Sequence, residues 1–216
     1  MKILKNKLHK DEIHELPQVL FPGRIITIYT EGEVKTAVDY LLSQPILGID
    51  TETRPSFQKG KSYKVGLMQV STHDTCFLFR LNIFGIPEAL VKLLEDNTVP
   101  KIGLSLKDDF AALNRRVNFT PGKYIELQNY VKKFGIQDLS LQKIYANVFK
   151  QRISKTQRLS NWEANILTDA QKRYAATDAW ACIKIYEELE KLWKNKDYRL
   201  EVIQEDEKNS SQEGQG

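Results

Sequence analysis

Apolar positions along this chain fall into blocks of two distinct periods. Residues 25–30 (IITIYT) are β-branched and strand-like, whereas in 31–44 Val34, Ala37, Val38, Leu41 and Leu42 recur at helical spacing. Strand patterns follow at 45–52, 63–72, 74–80, 99–106 and 123–128. Helical patterns fall at 86–95, 107–116, 139–147 and 169–195, the last opened by Thr168-Asp169-Ala170-Gln171, the form of a capping box. Strands alternating with helices predict an α/β layer fold with a mixed sheet flanked by helices. The polar segment 1–24, with Pro17 and Pro22, reads as an N-terminal arm, and 25–196 reads as the folded domain. Residues 197–216 read as a flexible C-terminal tail, dominated by Gln, Glu, Ser and Gly from about 204.

Composition narrows the class. At 41% hydrophobic and 28% charged, the 216 residues can build a substantial core, which excludes wholesale disorder. The first residues place Lys, His, Asp and Glu where a signal peptide needs an apolar run, and no apolar run approaches membrane-spanning length. An intracellular protein without a membrane partner is therefore expected. Two cysteines, Cys76 and Cys182, without a Cys/His cluster, indicate small buried side chains rather than a disulfide or zinc scaffold. His9, His14 and His73 have no catalytic partner at a telling spacing and read as surface residues. The formal charge is +4, but residues 204–216 hold four acids and one Lys, leaving +7 on the rest (31 cations, 24 acids). That bias permits a polyanionic partner, and an ordinary basic surface gives the same number.

Candidate chemistry begins where the apolar strand ILGI runs into Asp50-Thr51-Glu52. A period of two puts both carboxylates on one strand face, where they repel unless a cation sits between them, and hard Mg²⁺ or Mn²⁺ prefers such oxygens. A second pair, Asp108-Asp109, opens a helical pattern, where one acid is explained by the helix dipole and two exceed that need. On the last helix Tyr174 and Asp178 stand four apart, sharing a face with Ala175 and Cys182 that points inward. Each pattern alone is common by chance.

Together, in this order, they resemble the three motifs of DEDDy 3′-to-5′ exonucleases. That family of the ribonuclease H-like superfamily includes ribonuclease D and the Werner syndrome protein's exonuclease domain. The resemblance spans roughly residues 45–190. It rests on Asp50-x-Glu52, Gly103-Leu104-Ser105-Leu106-Lys107-Asp108-Asp109 and Tyr174-Ala175-Ala176-Thr177-Asp178, with Lys64-Val65 through Gln69, Ser140-Leu141 and Ser160-Asn161-Trp162 as flanks. It implies a ribonuclease H-like fold and a metal site of Asp50, Glu52, Asp109 and Asp178 holding two divalent ions, Mg²⁺ or Mn²⁺. Tyr174 then orients the attacking water. Asp109 is preferred to Asp108 because it lies six residues after Gly103 and four before Leu113, although Asp108 stands where the Werner-like motif has Gly. The other branch of the family has His five residues before the last Asp. Position 173 is Arg, which fits the Tyr branch.

The implied reaction is hydrolysis at nucleic-acid 3′ ends, releasing nucleoside 5′-monophosphates. Lys155 and Arg158 are candidates for phosphate contacts, or members of a solvated loop, and Trp162 is expected to pack in the core. Ribonuclease D-like enzymes carry helical domains after the nuclease, and about 20 residues follow the closing helix here. With the Werner-like flanks, this favours DNA. RNA 3′-end trimming is the alternative, and an inert nucleic-acid-binding module is the alternative of another class.

Overall fold

A computed structural model describes residues 1–204; of the tail expected over 197–216, residues 205–216 lie outside the described residues. In chain order the elements are β1 (Lys2–Lys5), α1 (Lys10–His14), β2 (Arg24–Ile28), α2 (Glu31–Leu42), β3 (Leu47–Thr53), β4 (Val65–Ser71), β5 (Thr75–Phe79), α3 (Leu81–Phe84) and α4 (Glu88–Glu95). Then come β6 (Lys101–Gly103), α5 (Leu106–Asn114), β7 (Tyr124–Glu126), α6 (Leu127–Tyr130) with a 3₁₀ turn (Val131–Phe134), α7 (Leu141–Phe149), α8 (Asp169–Asn195) and β8 (Tyr198–Glu201).

Six strands form a mixed sheet in the order β2-β5-β4-β3-β6-β7. The β3–β4 and β4–β5 pairs are antiparallel and the other three parallel. Alternate residues feed two cores. Leu47, Ile49, Met68, Phe77 and Phe79 meet Val34, Leu41, Leu90 and Leu113 on one face. Leu67, Cys76, Leu78 and Ile102 meet Ile144, Tyr145, Trp162 and the buried side of α8 on the other. Both cysteines are free and buried, and Trp162 is fully buried.

Residues 1–16 and 198–201 are more structured than their composition suggests. β1 pairs in parallel with β8, Lys2 opposite Tyr198 and Lys5 opposite Glu201, so the strand at 198–201 replaces the start of the expected tail. A period-two signal in four residues is too short to read, and the partner lies almost the whole chain away. Fully buried Asn147 of α7 clasps β1, its Oδ1 accepting from the Lys5 N–H at 2.9 Å and its Nδ2 donating to the Lys5 carbonyl at 2.6 Å. Asn147→Ala is expected to cost about 1–3 kcal/mol, because it leaves both backbone groups of Lys5 without these partners. A lower midpoint in urea unfolding, with unchanged slope, checks this.

Two expected strands are shorter than their apolar runs. The 99–106 run is extended only over Lys101–Gly103, because Ser105 turns left-handed (φ 63°) and Leu106 already begins α5. The 123–128 run stops at Glu126, whose side chain caps α6 by accepting from the Gln128 N–H.

Candidate active site

The central strand β3 carries the first two acids. Asp50 and Glu52 project from the face against which α8 packs, alternating with Ile49 and Thr51 toward the other layer. The approach of α8 depends on Gly48: a Cβ there would lie 1.9 Å from the Ala179 carbonyl oxygen and 3.1 Å from Ile183. Glycine thus lets the helix backbone rest on β3 and carries Asp178, one residue before Ala179, up to Asp50. The helix starts where the sequence indicates, with a capping box in which the Thr168 hydroxyl accepts from the Gln171 N–H. Gly48→Ala is expected to lower stability by about 3 kcal/mol, the upper end for overpacking, and to weaken divalent-cation binding by pushing Asp178 away. Denaturant unfolding and a Mn²⁺ titration on the folded fraction measure the two effects.

Asp50, Glu52 and Asp178 each offer a carboxylate oxygen, and these oxygens all lie within 4.8 Å of one another. Glu52 and Asp178 are buried and Asp50 half-buried. Burial first, then the charges of Asp109 and Asp178, pushes the Asp50 carboxyl well above the usual carboxylate range. Glu52 is raised by burial and by Asp50, Asp178 and Asp109. Burial pushes Asp178 up to about 7, with Tyr174 acting in the opposite direction. Gln69 of β4, opposite Asp50 in the ladder, donates to Asp50 Oδ2 at 3.1 Å, while its own Oε1 and Asp178 Oδ1 are buried without a hydrogen-bond partner. Repelling carboxylates with an orphaned oxygen are a donor set suited to a hard divalent cation.

Asp109 stands beside this trio rather than within it. Its Oδ1 accepts from the Thr51 hydroxyl at 2.5 Å, and burial pushes its carboxyl up to about 7 despite that bond. Asp108 is exposed. The α5 start that presents Asp109 is fixed by Glu126, whose Oε1 and Oε2 accept from the Ser105 and Leu106 N–H groups at 3.0 and 2.7 Å. Gly103 permits the turn, since a Cβ there would lie 2.4 Å from Leu106 Cδ2 and 2.7 Å from the Ile49 carbonyl. Thr51, Gln69 and Glu126 thus hold the acids. In the sequence Gln69 is only a flank, Thr51 is only the middle residue of Asp50-x-Glu52, and Glu126 gives no signal.

Tyr174 is buried, its ring 6.0 Å from that of Trp162. Burial, then the nearby charges of Asp178 and Glu52, keeps the phenol protonated far beyond its usual range. A cleft of about 390 Å³ opens beside the acids, lined by Asp50, Asp178, Leu104, Gln128, Leu139 and Arg158 among others. Arg158 is therefore brought to the acids. Lys155 is exposed and does not line that cleft. His9, His14 and His73 are exposed, His73 bonding to Glu187. No helix among the described residues is long and apolar enough to cross a membrane.

A mixed sheet flanked by helices, with acids on its central strand and on a crossing helix, is the ribonuclease H-like architecture of 3′-5′ exonucleases. The chain belongs to that family, whose model, described as "3'-5' exonuclease", matches residues 25–194. It is 30% identical over 184 residues to the mouse bifunctional 3'-5' exonuclease/ATP-dependent helicase WRN, covering 81% of this chain and 13% of that protein. It is 30% identical over 206 residues to an Arabidopsis thaliana 3'-5' exonuclease, covering 86% of this chain and 70% of the other. Among solved structures, the Aedes aegypti Nibbler EXO domain superposes with a TM-score of 0.72 at 20% identity, covering 81% of this chain and 91% of that one. The chain thus spans about an eighth of the mouse relative and over two thirds of the plant one.

Proposed function

We propose that this protein hydrolyses phosphodiester bonds one nucleotide at a time from nucleic-acid 3′ ends, releasing nucleoside 5′-monophosphates, with DNA as the preferred strand. The observation that carries the reading is the trio of carboxylate oxygens within 4.8 Å beside an open cleft. Asp50, Glu52 and Asp178 hold divalent cations, Mg²⁺ or Mn²⁺, with Asp109 as the neighbouring fourth carboxylate. Two such ions supply activation of water and neutralisation of charge on the leaving oxygen.

The remaining work belongs to the chain itself. Tyr174, a phenol that keeps its proton, cannot serve as the base and acts by hydrogen bonding, orienting the attacking water. Gln69 fixes the Asp50 carboxylate by donating to its Oδ2. Arg158, on the cleft wall, takes a phosphate of the terminal nucleotide, and exposed Lys155 meets the strand outside it. An inert binding module has no use for desolvated, mutually repelling acids, which lower stability unless a cation offsets them.

The test uses 3′- and 5′-labelled DNA and RNA oligomers incubated with Mg²⁺, with Mn²⁺ and with EDTA. Metal-dependent shortening, faster on DNA, is expected. Faster shortening of RNA transfers the preference to 3′-end trimming of RNA, and no shortening of either with either metal leaves the binding module.

A further inference from the structure

The loop that follows Glu52 bears charge the acid site does not use. Residues 54–64 contain Arg54, Lys59, Lys61 and Lys64 and no acid. The segment leaves β3 just after Glu52 and rejoins β4 at Val65, so it stands at the end of the hairpin that carries the acids. Its root is ordered: the Arg54 guanidinium lies 4.8 Å from the Tyr63 ring centroid, with Lys61 Nζ 5.2 Å from the same centroid. Its tip is ordered too, the Ser56 hydroxyl accepting from the Gln58 N–H and the Lys61 N–H donating to the Gln58 carbonyl at 3.2 Å.

These turns hold Phe57 at 86% exposure, the highest of any large apolar side chain among the described residues. One exposed Phe needs no explanation by itself. A Phe followed closely by the exposed Lys59 and Lys61 offers a face for a base and charges for the flanking phosphates, which is how single strands are gripped without regard to sequence. The chain carries a second basic segment. Residues 150–158 hold Lys150, Arg152, Lys155 and Arg158 and again no acid. Arg54 Nη1 lies 3.6 Å from the carboxylate of Glu163, so the root of the loop meets the chain that follows that segment.

We propose that the 54–64 loop binds the substrate strand on the 5′ side of the terminal nucleotide, with Phe57 stacked on a base and Lys59 and Lys61 at phosphates. This rests on the exonuclease reading, in which the terminal nucleotide fills the cleft. Binding and activity are measured separately. Fluorescence anisotropy of a labelled single-stranded oligomer of about 16 nucleotides, in EDTA, reports binding without hydrolysis. Phe57→Ala is expected to weaken binding about tenfold. Lys59→Ala/Lys61→Ala is expected to make the slope of log K against log salt shallower by about 1.4, at about 0.7 per phosphate on a single strand. With Mn²⁺, both variants should hydrolyse the p-nitrophenyl ester of thymidine 5′-monophosphate, which ends at the reacting phosphate, at the wild-type rate. Unchanged affinity and slope overturn the proposal and assign the loop to another partner, such as a protein. Equal losses on oligomer and ester overturn it in favour of a structural role. A wild type inactive on every substrate defeats the exonuclease reading, while the anisotropy still decides the loop.

Discussion

Tyr174→Phe is expected to reduce turnover on the order of 10²-fold or more, with substrate affinity and divalent-cation binding little changed. The substitution deletes one hydroxyl and leaves the ring to pack against Trp162, so the fold has no reason to yield. Because burial and the surrounding acids hold the phenol protonated far above neutral pH, its contribution is a donated hydrogen bond rather than proton abstraction. The Tyr174 phenol should therefore add no limb of its own to the pH–rate profile between pH 6 and 9, a window that lies wholly below the ionisation of even an ordinary phenol, at about 10. Asp178→Asn behaves differently, weakening cation binding as well as rate, because an amide supplies no charge. Single-turnover kinetics together with Mn²⁺ titration separate the two variants. Full activity in Tyr174→Phe would assign the tyrosine to core packing.

The second large effect is a melting temperature governed by cation and pH together. Asp109 and Asp178 titrate at about 7, with Asp50 and Glu52 also raised, whereas carboxylates in an unfolded chain titrate near 4. A carboxyl raised on folding binds its proton more tightly in the native state. Its stabilisation is complete below about pH 4 and is lost as pH rises through about 7. The cation-free protein should therefore be less stable at pH 8 than at pH 5 as far as these four groups decide, and the cation shift should be largest at pH 8. At a Mn²⁺ concentration 100-fold above its dissociation constant, binding adds about 2.7 kcal/mol, or roughly 5–10 °C for a domain of this size. The Asp50→Ala/Glu52→Ala/Asp109→Ala/Asp178→Ala variant should show no shift. An unchanged wild-type melt at millimolar Mn²⁺ contradicts a cation site.

What the sequence made legible was local. Capping chemistry is written in four adjacent residues, so Thr168 to Gln171 marked the start of α8, and strand period put Asp50 and Glu52 on one face. The meeting of β1 with β8, the Thr51–Asp109 bond and the Glu126 clamp on α5 were not legible. Each joins residues tens or hundreds of positions apart, and each uses side chains or backbone that would be unremarkable alone. Gly48 shows the limit most clearly: within the strand it is only a weak residue, and its reason is the backbone of a helix some 130 residues later. The loop around Phe57 continues neither strand nor helix period, and its turns emerge only in three dimensions.

The most direct test of the central claim is the identity and order of products from a 5′-labelled single-stranded DNA oligomer with Mn²⁺, resolved in time on a gel and by mass spectrometry of the released material. The four-acid site predicts a ladder shortening from the 3′ end in steps of one nucleotide, nucleoside 5′-monophosphates as the released species, and loss of both in Asp178→Asn. Internal cuts, products carrying a 3′-phosphate, or an undiminished ladder in Asp178→Asn would contradict it.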